Sequence, residues 1–226
     1  MREKRSGVAR TTMVVVLCMT MAWSGCSLNW IGEGEQIVAV LIPAATNLVS
    51  LVEALEGKTV SAADVQLIQS AGSQAGADLQ LIQALIAAYE KADAAAQPGI
   101  LNQIQSAIGA VQGNLQGLLG ALHIKDAATQ AKITAVVGIL LSEVQSLAAV
   151  IPAVKGQQSQ ISHPVAQNAT KVGQPRVPLT AGEFVASYNA TLRAKTGNAD
   201  LDRATAGLAI HEHGKVARWA TGGVLK

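Results

Sequence analysis

Aromatic and charged side chains are scarce in this chain, at 3 % and 14 % of its 226 residues. Half of the residues are hydrophobic, so a core would consist mainly of alanine, leucine, isoleucine and valine. A strand-rich protein would carry more Tyr, Phe, Trp and Thr in alternating runs, and no convincing run of this kind occurs. The composition therefore argues against a β-protein and predicts an all-α fold whose helices pack through aliphatic side chains.

Cysteine is nearly absent, since the two cysteines are Cys18 and Cys26. Residues 27–226 therefore contain no disulfide, no thiol nucleophile and no cysteine-based zinc site. No serine lies in a recognisable nucleophile elbow, and no glycine-rich loop suited to phosphate binding occurs. We expect no catalytic residue, no cofactor and no enzyme activity.

The His-Glu-His sequence at 211–213 is the one cluster that could bind a metal ion or transfer protons. On a strand the two histidines would face the same side, whereas on a helix they would diverge by about 200°. A zinc site needs three or four ligands, and His123, His163 and scattered carboxylates would have to complete it. We interpret the cluster as an exposed polar turn and expect no metal site.

Charge is distributed unevenly along the chain. Residues 26–154 carry four basic and ten acidic side chains, for a net charge of −6, whereas residues 155–226 carry nine basic and four acidic ones, for +5. The acidic middle argues against a nucleic-acid-binding core. The basic residues after 155 are widely spaced, which is typical of a solvated end.

The N-terminal segment has the organisation of an export signal. Four basic residues accompany an apolar run of 13 residues from Thr11 to Trp23, which is too short to span a bilayer, since that takes about 20. The run ends in Ser24-Gly25-Cys26, which resembles the lipobox of bacterial lipoproteins, although Trp23 stands where an aliphatic residue is typical. The resemblance implies a signal peptide over residues 1–25, cleavage before Cys26 and lipid attachment to its thiol.

The same resemblance implies a location in the bacterial cell envelope. Ser27 follows the cysteine where an aspartate would favour the inner membrane in enteric bacteria, so we expect an outer-membrane anchor facing the periplasm. Two alternatives stay open. Cleavage after Ser24, with Ala22 and Ser24 as the small residues, would release a secreted protein, and an uncleaved segment would act as an anchor.

The central element is a predicted helix from Leu101 to Leu122. Gly109, Gly113 and Gly117 recur on one of its faces, and since each glycine costs about 1 kcal/mol of helix stability, we expect a neighbouring backbone to approach there. This spacing also resembles the glycine zippers of membrane-associated helices, so a membrane-inserting or pore-forming protein is the alternative function. The other face is apolar in steps of three and four residues: Leu101, Ile104, Ile108, Val111, Leu115, Leu118 and Leu122.

Three more helices are predicted in an antiparallel four-helix bundle over residues 36–154, preceded by a lipidated tether at 26–35. The first spans Gln36 to Val52, is kinked or restarted at Pro43 and is ended by Gly57. The second begins at Ser61. Its buried stripe is predicted to comprise Val65, Ile68, Gly72, Ala75, Leu79, Ile82, Ile86 and Tyr89.

The last helix of the bundle begins at Asp126, a suitable N-cap, and stops near Pro152. Glu53 and Glu143 lie within otherwise apolar helices. They could form a buried pair, but we interpret each as lying on the polar flank of its helix. His123, at the end of the central helix, is expected to cap it, because a histidine interacts favourably with the helix dipole there.

A linker rich in Gln, Ser, Asn and Pro is predicted over residues 155–179. Thr180 and Glu183 then form a capping box, followed by Phe184, Tyr188 and Leu192 on one helical face, and a further short helix is expected within 198–219. This tail, residues 180–226, either docks on the bundle or binds a protein partner. We predict a membrane-anchored lipoprotein with a structural or binding role and leave its oligomeric state open.

Overall fold

A computed structural model describes residues 29–152 and 180–210 of the chain. The regular structure in these two ranges is α-helical and contains no β-strand, so the all-α prediction is confirmed for the described residues. The helices are α1 (Asn29–Ala54), α2 (Ala62–Lys91), α3 (Gln97–Ala121), α4 (Ala127–Val150), α5 (Ala181–Arg193) and α6 (Ala199–Thr205).

The four long helices, α1 to α4, are here called the body. They contact one another in a cycle, α1 with α2, α2 with α3, α3 with α4 and α4 with α1. The apolar stripe predicted from Val65 to Tyr89 is buried at each of its positions, and so is the stripe from Leu101 to Leu122. Helical periodicity alone therefore identified the inward faces of α2 and α3.

Helix α1 begins at Asn29 rather than at the predicted Gln36. Trp30 and Gly34 are buried, and the Trp30 ring meets the Tyr89 ring edge-on, with 5.0 Å between the centroids. Because these residues extend the buried face of α1, most of the segment predicted as a tether is helix. The helix also continues through Pro43 instead of restarting there.

Helix ends follow the capping chemistry read from the sequence. Ser61 accepts a hydrogen bond from the backbone N–H of Asp64, and Asp126 accepts one from Thr129 at 2.8 Å. The capping box between Thr180 and Glu183 is formed in both directions. Gly57 lies in the turn after α1 with a φ of 72°, the left-handed conformation that glycine adopts without strain.

The glycine face of α3 has no neighbour among the described residues, contrary to expectation. A Cβ built on Gly109, Gly113 or Gly117 would meet nothing within 4 Å, and all three residues are exposed. Helix α3 packs against both of its neighbours, α2 and α4, through its apolar stripe. Its glycine face is therefore exposed. Close approach occurs instead at Gly72 of α2, where a Cβ would lie 2.6 Å from Cγ2 of Val49.

Residues 180–210, here called the docked segment, pack against the body. Helix α5 contacts α4 and α1, and α6 contacts α5 and α1. Phe184, Tyr188 and Leu192 are buried in the same hydrophobic core as the body, and the two aromatic rings stack with 5.7 Å between centroids. Of the two arrangements left open for the tail, residues 180–210 show the docked one, and the rest of the tail lies outside the described residues.

Candidate functional site

Most of the residues singled out for chemistry lie outside the described ranges. These are the lipid attachment site Cys26, His163 within the predicted linker, and the His-Glu-His sequence at 211–213. Within residues 29–152 and 180–210, no group of three His, Cys, Asp or Glu side chains is placed to hold a metal ion. His123 caps α3 as predicted, with its Nδ1 2.7 Å from the carbonyl oxygen of Ala121.

The two glutamates within apolar helices have different surroundings. Glu53 is exposed and accepts a hydrogen bond from Nε2 of Gln69 at 2.8 Å, as expected for the polar flank of a helix. Glu143 is fully buried, at 0 % exposure, so its assignment to a polar flank was wrong. The two do not form a buried pair either. Helix α4 contacts α5 as well as α1 and α3, and the periodicity of α4 alone does not reveal this further neighbour.

Lys132 and Glu143 are the two charged residues of α4, and both are buried. The Lys132 ammonium donates hydrogen bonds to the carbonyl oxygens of Leu192 at 2.9 Å and Ala194 at 2.6 Å. These carbonyls lie at the C-terminal end of α5, the negative pole of the helix dipole, where a cation is stabilising. Burial lowers the pKa of Lys132, and the charge of Asp202 opposes that shift.

Both carboxylate oxygens of Glu143 are buried without a hydrogen-bond partner. Burial raises the pKa of Glu143 from 4.5 to about 7, and the negative charge of Glu183 in the first turn of α5 acts in the same direction. A carboxylate removed from water without a partner is costly, so the protonated form is favoured. Glu143 is therefore a carboxyl group poised to exchange a proton near neutral pH.

The docked segment also bonds to α1. The Tyr188 hydroxyl donates to the carbonyl oxygen of Ala44 at 3.4 Å, and burial raises the pKa of Tyr188. Nδ2 of Asn47 donates to the carbonyl oxygen of Leu208 at 2.8 Å. These polar contacts are satisfied, which sets Glu143 apart at this interface.

Sequence reasoning missed Lys132. It lies eleven residues before Glu143, and eleven residues are close to three full helical turns, so both side chains share one face of α4. That spacing can be read from the sequence. The sequence does not show that α5 packs on this face, because α5 lies about 40 residues further along the chain.

A shallow cavity of about 230 Å³ lies beside the C-terminal end of α5. Its buried polar side chain, Thr205, is bonded to the Leu201 carbonyl oxygen at 3.0 Å. The flanking cations Arg193 and Lys195 are exposed, so the described cavity wall presents no converging set of buried polar groups. No protein-family model, curated protein or solved structure matches this chain.

Proposed function

We propose that this protein is a lipoprotein of the bacterial cell envelope, held to a membrane through an acylated Cys26 and acting in a structural or binding role without catalysis. The observation that carries the proposal is the sequence Ser24-Gly25-Cys26 at the end of the apolar run from Thr11 to Trp23, which resembles a lipobox. The described helices all follow Cys26, beginning with α1 three residues later, so cleavage before Cys26 would remove none of their residues.

The architecture that we propose for the body is an antiparallel four-helix bundle. Its support is the cycle of contacts among α1 to α4, together with the short connections between consecutive helices, residues 55–61, 92–96 and 122–126. Short connections place consecutive helices side by side in opposite directions. An aliphatic core of this kind provides a rigid scaffold, and binding would use its outer faces or its tail.

The proposed anchor would hold the body close to the lipid surface. Three residues span at most about 10 Å, so Trp30 and the neighbouring end of α2 would lie near the headgroups. A single acyl chain binds a membrane only marginally, whereas additional chains make attachment stable. Ser27 supports an outer-membrane location facing the periplasm, by resemblance to lipoprotein sorting in enteric bacteria.

Metabolic labelling with a fatty-acid analogue in a bacterial host tests the anchor. The wild type should be labelled and should fractionate with membranes, whereas Cys26→Ser should be unlabelled because the acylated thiol is gone. Cys18→Ser is the matched control, since it removes the other cysteine and should leave labelling unchanged. Equal labelling of Cys26→Ser and the wild type would refute lipidation at this residue.

A second candidate is a membrane-inserting helical protein. It is favoured by α1 and α4, which are long and apolar enough to cross a membrane, and by the uncovered glycine face of α3. Against it, 56 % and 44 % of the apolar windows of α1 and α4 are buried inside the protein, as in core helices. A protein lacking residues 1–26 should be helical without detergent, and an obligatory need for detergent would favour insertion.

A further inference from the structure

We propose that Glu143 is a proton-binding site that couples docking of residues 180–210 on the body to pH. With Glu143 protonated the docked segment is held in place, and ionisation of the carboxyl group weakens its docking. The proposal concerns a device inside the fold and is independent of how the N-terminus is attached to a membrane.

Two interactions fix the relative direction of α4 and α5. Lys132 bonds to carbonyls at the C-terminal end of α5, and Glu143 is within electrostatic range of Glu183 in the first turn of α5. The two helices are therefore antiparallel. Eleven residues of α4 rise about 16 Å and the 13 residues of α5 about 20 Å, so the buried charged residues of α4 meet opposite ends of α5.

The buried charged groups at the two ends of α5 differ in their hydrogen-bond partners. The Lys132 ammonium has two carbonyl partners within 3 Å, whereas neither oxygen of Glu143 has a partner. Among the described buried side chains that lack a partner, Glu143 is the one that can carry a charge. Docking of α5 therefore encloses a carboxyl group that water would solvate if α5 moved away.

The surroundings of Glu143 offer no compensating cation in the described part of the chain. Helix α3 carries no charged residue. The acidic residues of α1 are all exposed, and the Glu183 charge from α5 is of like sign. On α5 and α6 the cations Arg193 and Arg203 are exposed, and Asp202 of α6 acts on Lys132 instead.

The sign of the pH effect follows from these contacts. The pKa of Glu143 is raised to about 7 in the docked state, whereas an undocked, hydrated glutamate would titrate near its ordinary value. Docking is then strongest below the ordinary pKa and weakens as pH rises toward 7. With these two values, linkage gives a roughly thirty-fold fall in the docking equilibrium constant between pH 5.5 and pH 8.5.

Hydrogen exchange of the whole chain at pH 5.5 and 8.5, corrected for intrinsic exchange rates, tests the coupling. In the wild type, protection of the α5 amides should fall roughly thirty-fold at the higher pH. At pH 8.5 these amides should also be less protected than the α2 amides, because α5 can leave while the body stays folded. Glu143→Gln keeps the shape of the side chain and removes its charge, so α5 should be equally protected at both pH values. Glu53→Gln, an exposed glutamate of α1, is the matched control and should behave as the wild type.

Three results would overturn the proposal. They are an equal loss of α5 protection in Glu143→Gln and the wild type, no loss in the wild type, or α5 protection equal to that of α2 at pH 8.5, which would mean that α5 opens only when the body unfolds. Should Glu143→Gln fail to fold, carbon NMR of the wild-type Glu143 carboxyl decides the matter. A titration midpoint above pH 6 supports the proposal, and a midpoint at or below pH 6 refutes it.

Discussion

Two helical glycines of the body differ in the space available for an added side chain. Gly72 is buried and faces α1, where a Cβ would lie 2.6 Å from Cγ2 of Val49. Gly113 is exposed and has nothing within 4 Å of an added Cβ. Both residues lie in helices and both recur at helical spacing with other small residues, so the difference comes entirely from what lies opposite each one.

The same substitution at both sites separates the two roles. Gly113→Ala should stabilise the protein by about 1 kcal/mol, because alanine favours the helix and its methyl group points into open space. Gly72→Ala gains the same propensity but must displace the β-branched Val49, and overpacking of this kind costs about 1–3 kcal/mol. Denaturant unfolding of both variants measures the difference.

The two alanine variants also test the expectation that a neighbouring backbone packs against the glycine face of α3. Equal stabilisation by both alanines would contradict the contact at Gly72. A loss of stability in Gly113→Ala would show that another surface covers the glycine face in solution, as the sequence had predicted.

At the level of single helices, the N-terminus of α4 is held by Asp126. Its carboxylate accepts hydrogen bonds from the hydroxyl and the backbone N–H of Thr129, at 2.6 and 2.8 Å. These bonds lower the pKa of Asp126 below its ordinary value, the hydroxyl contributing most. A further contact with Asn198, at 3.5 Å, ties the start of α4 to the residue that caps α6.

The lowered pKa of Asp126 predicts a loss of stability in acid. A group with a depressed pKa in the folded state stabilises the protein above its ordinary pKa, and this contribution disappears as pH falls through the folded value. Asp126→Asn retains an oxygen for capping but does not titrate. Its melting temperature should therefore fall less than that of the wild type when pH is lowered from 4 to 2.

An exposed glutamate of α2 supplies the control for that experiment. Glu90→Gln removes a carboxylate without touching a helix cap and should keep the acid sensitivity of the wild type. If Asp126→Asn loses as much stability in acid as the wild type does, the ionised cap does not account for the effect.

For the molecule as a whole, the docked segment and the body share one hydrophobic core. Phe184 and Tyr188 are each 0 % exposed and belong to the same cluster as the residues of α1 and α4. Hydrogen bonds from Lys132 to α5 and from Asn47 to Leu208 join the segment to two different helices of the body. We therefore expect residues 180–210 and the body to unfold together at pH 5.5, where docking is roughly thirty-fold stronger than at pH 8.5.

Phe184→Ala should lower the free energy of unfolding by about 3–5 kcal/mol, the usual cost of emptying a buried aromatic site. Because the core is shared, thermal melting at pH 5.5 should keep a single transition at a lower temperature. Ser187→Ala, an exposed position one turn along α5, should change stability by less than about 0.5 kcal/mol. An unchanged melting temperature in Phe184→Ala would mean that α5 does not pack on the body in solution.

Features that depend on neighbours along the chain could be predicted from the sequence. The stripes of α2 and α3 follow from apolar residues at helical spacing, and the caps at Ser61, Asp126 and Thr180 follow from side chains that accept from an N–H two or three residues on. These effects act within one or two turns, so no knowledge of the tertiary structure is needed. The proposed acylation of Cys26 also comes from a local pattern and stays a prediction.

Features that depend on what covers a surface were decided by the tertiary structure. The glycine face of α3 proved open, Trp30 extended α1 by packing on Tyr89, and Glu143 proved buried rather than on a polar flank. In each case the periodicity of one helix shows which residues share a face but not which element lies against it. Burial, which raises the pKa of Glu143, arises from packing between elements that are distant in sequence, and the charge of Glu183, 40 positions further along the chain, raises that pKa as well.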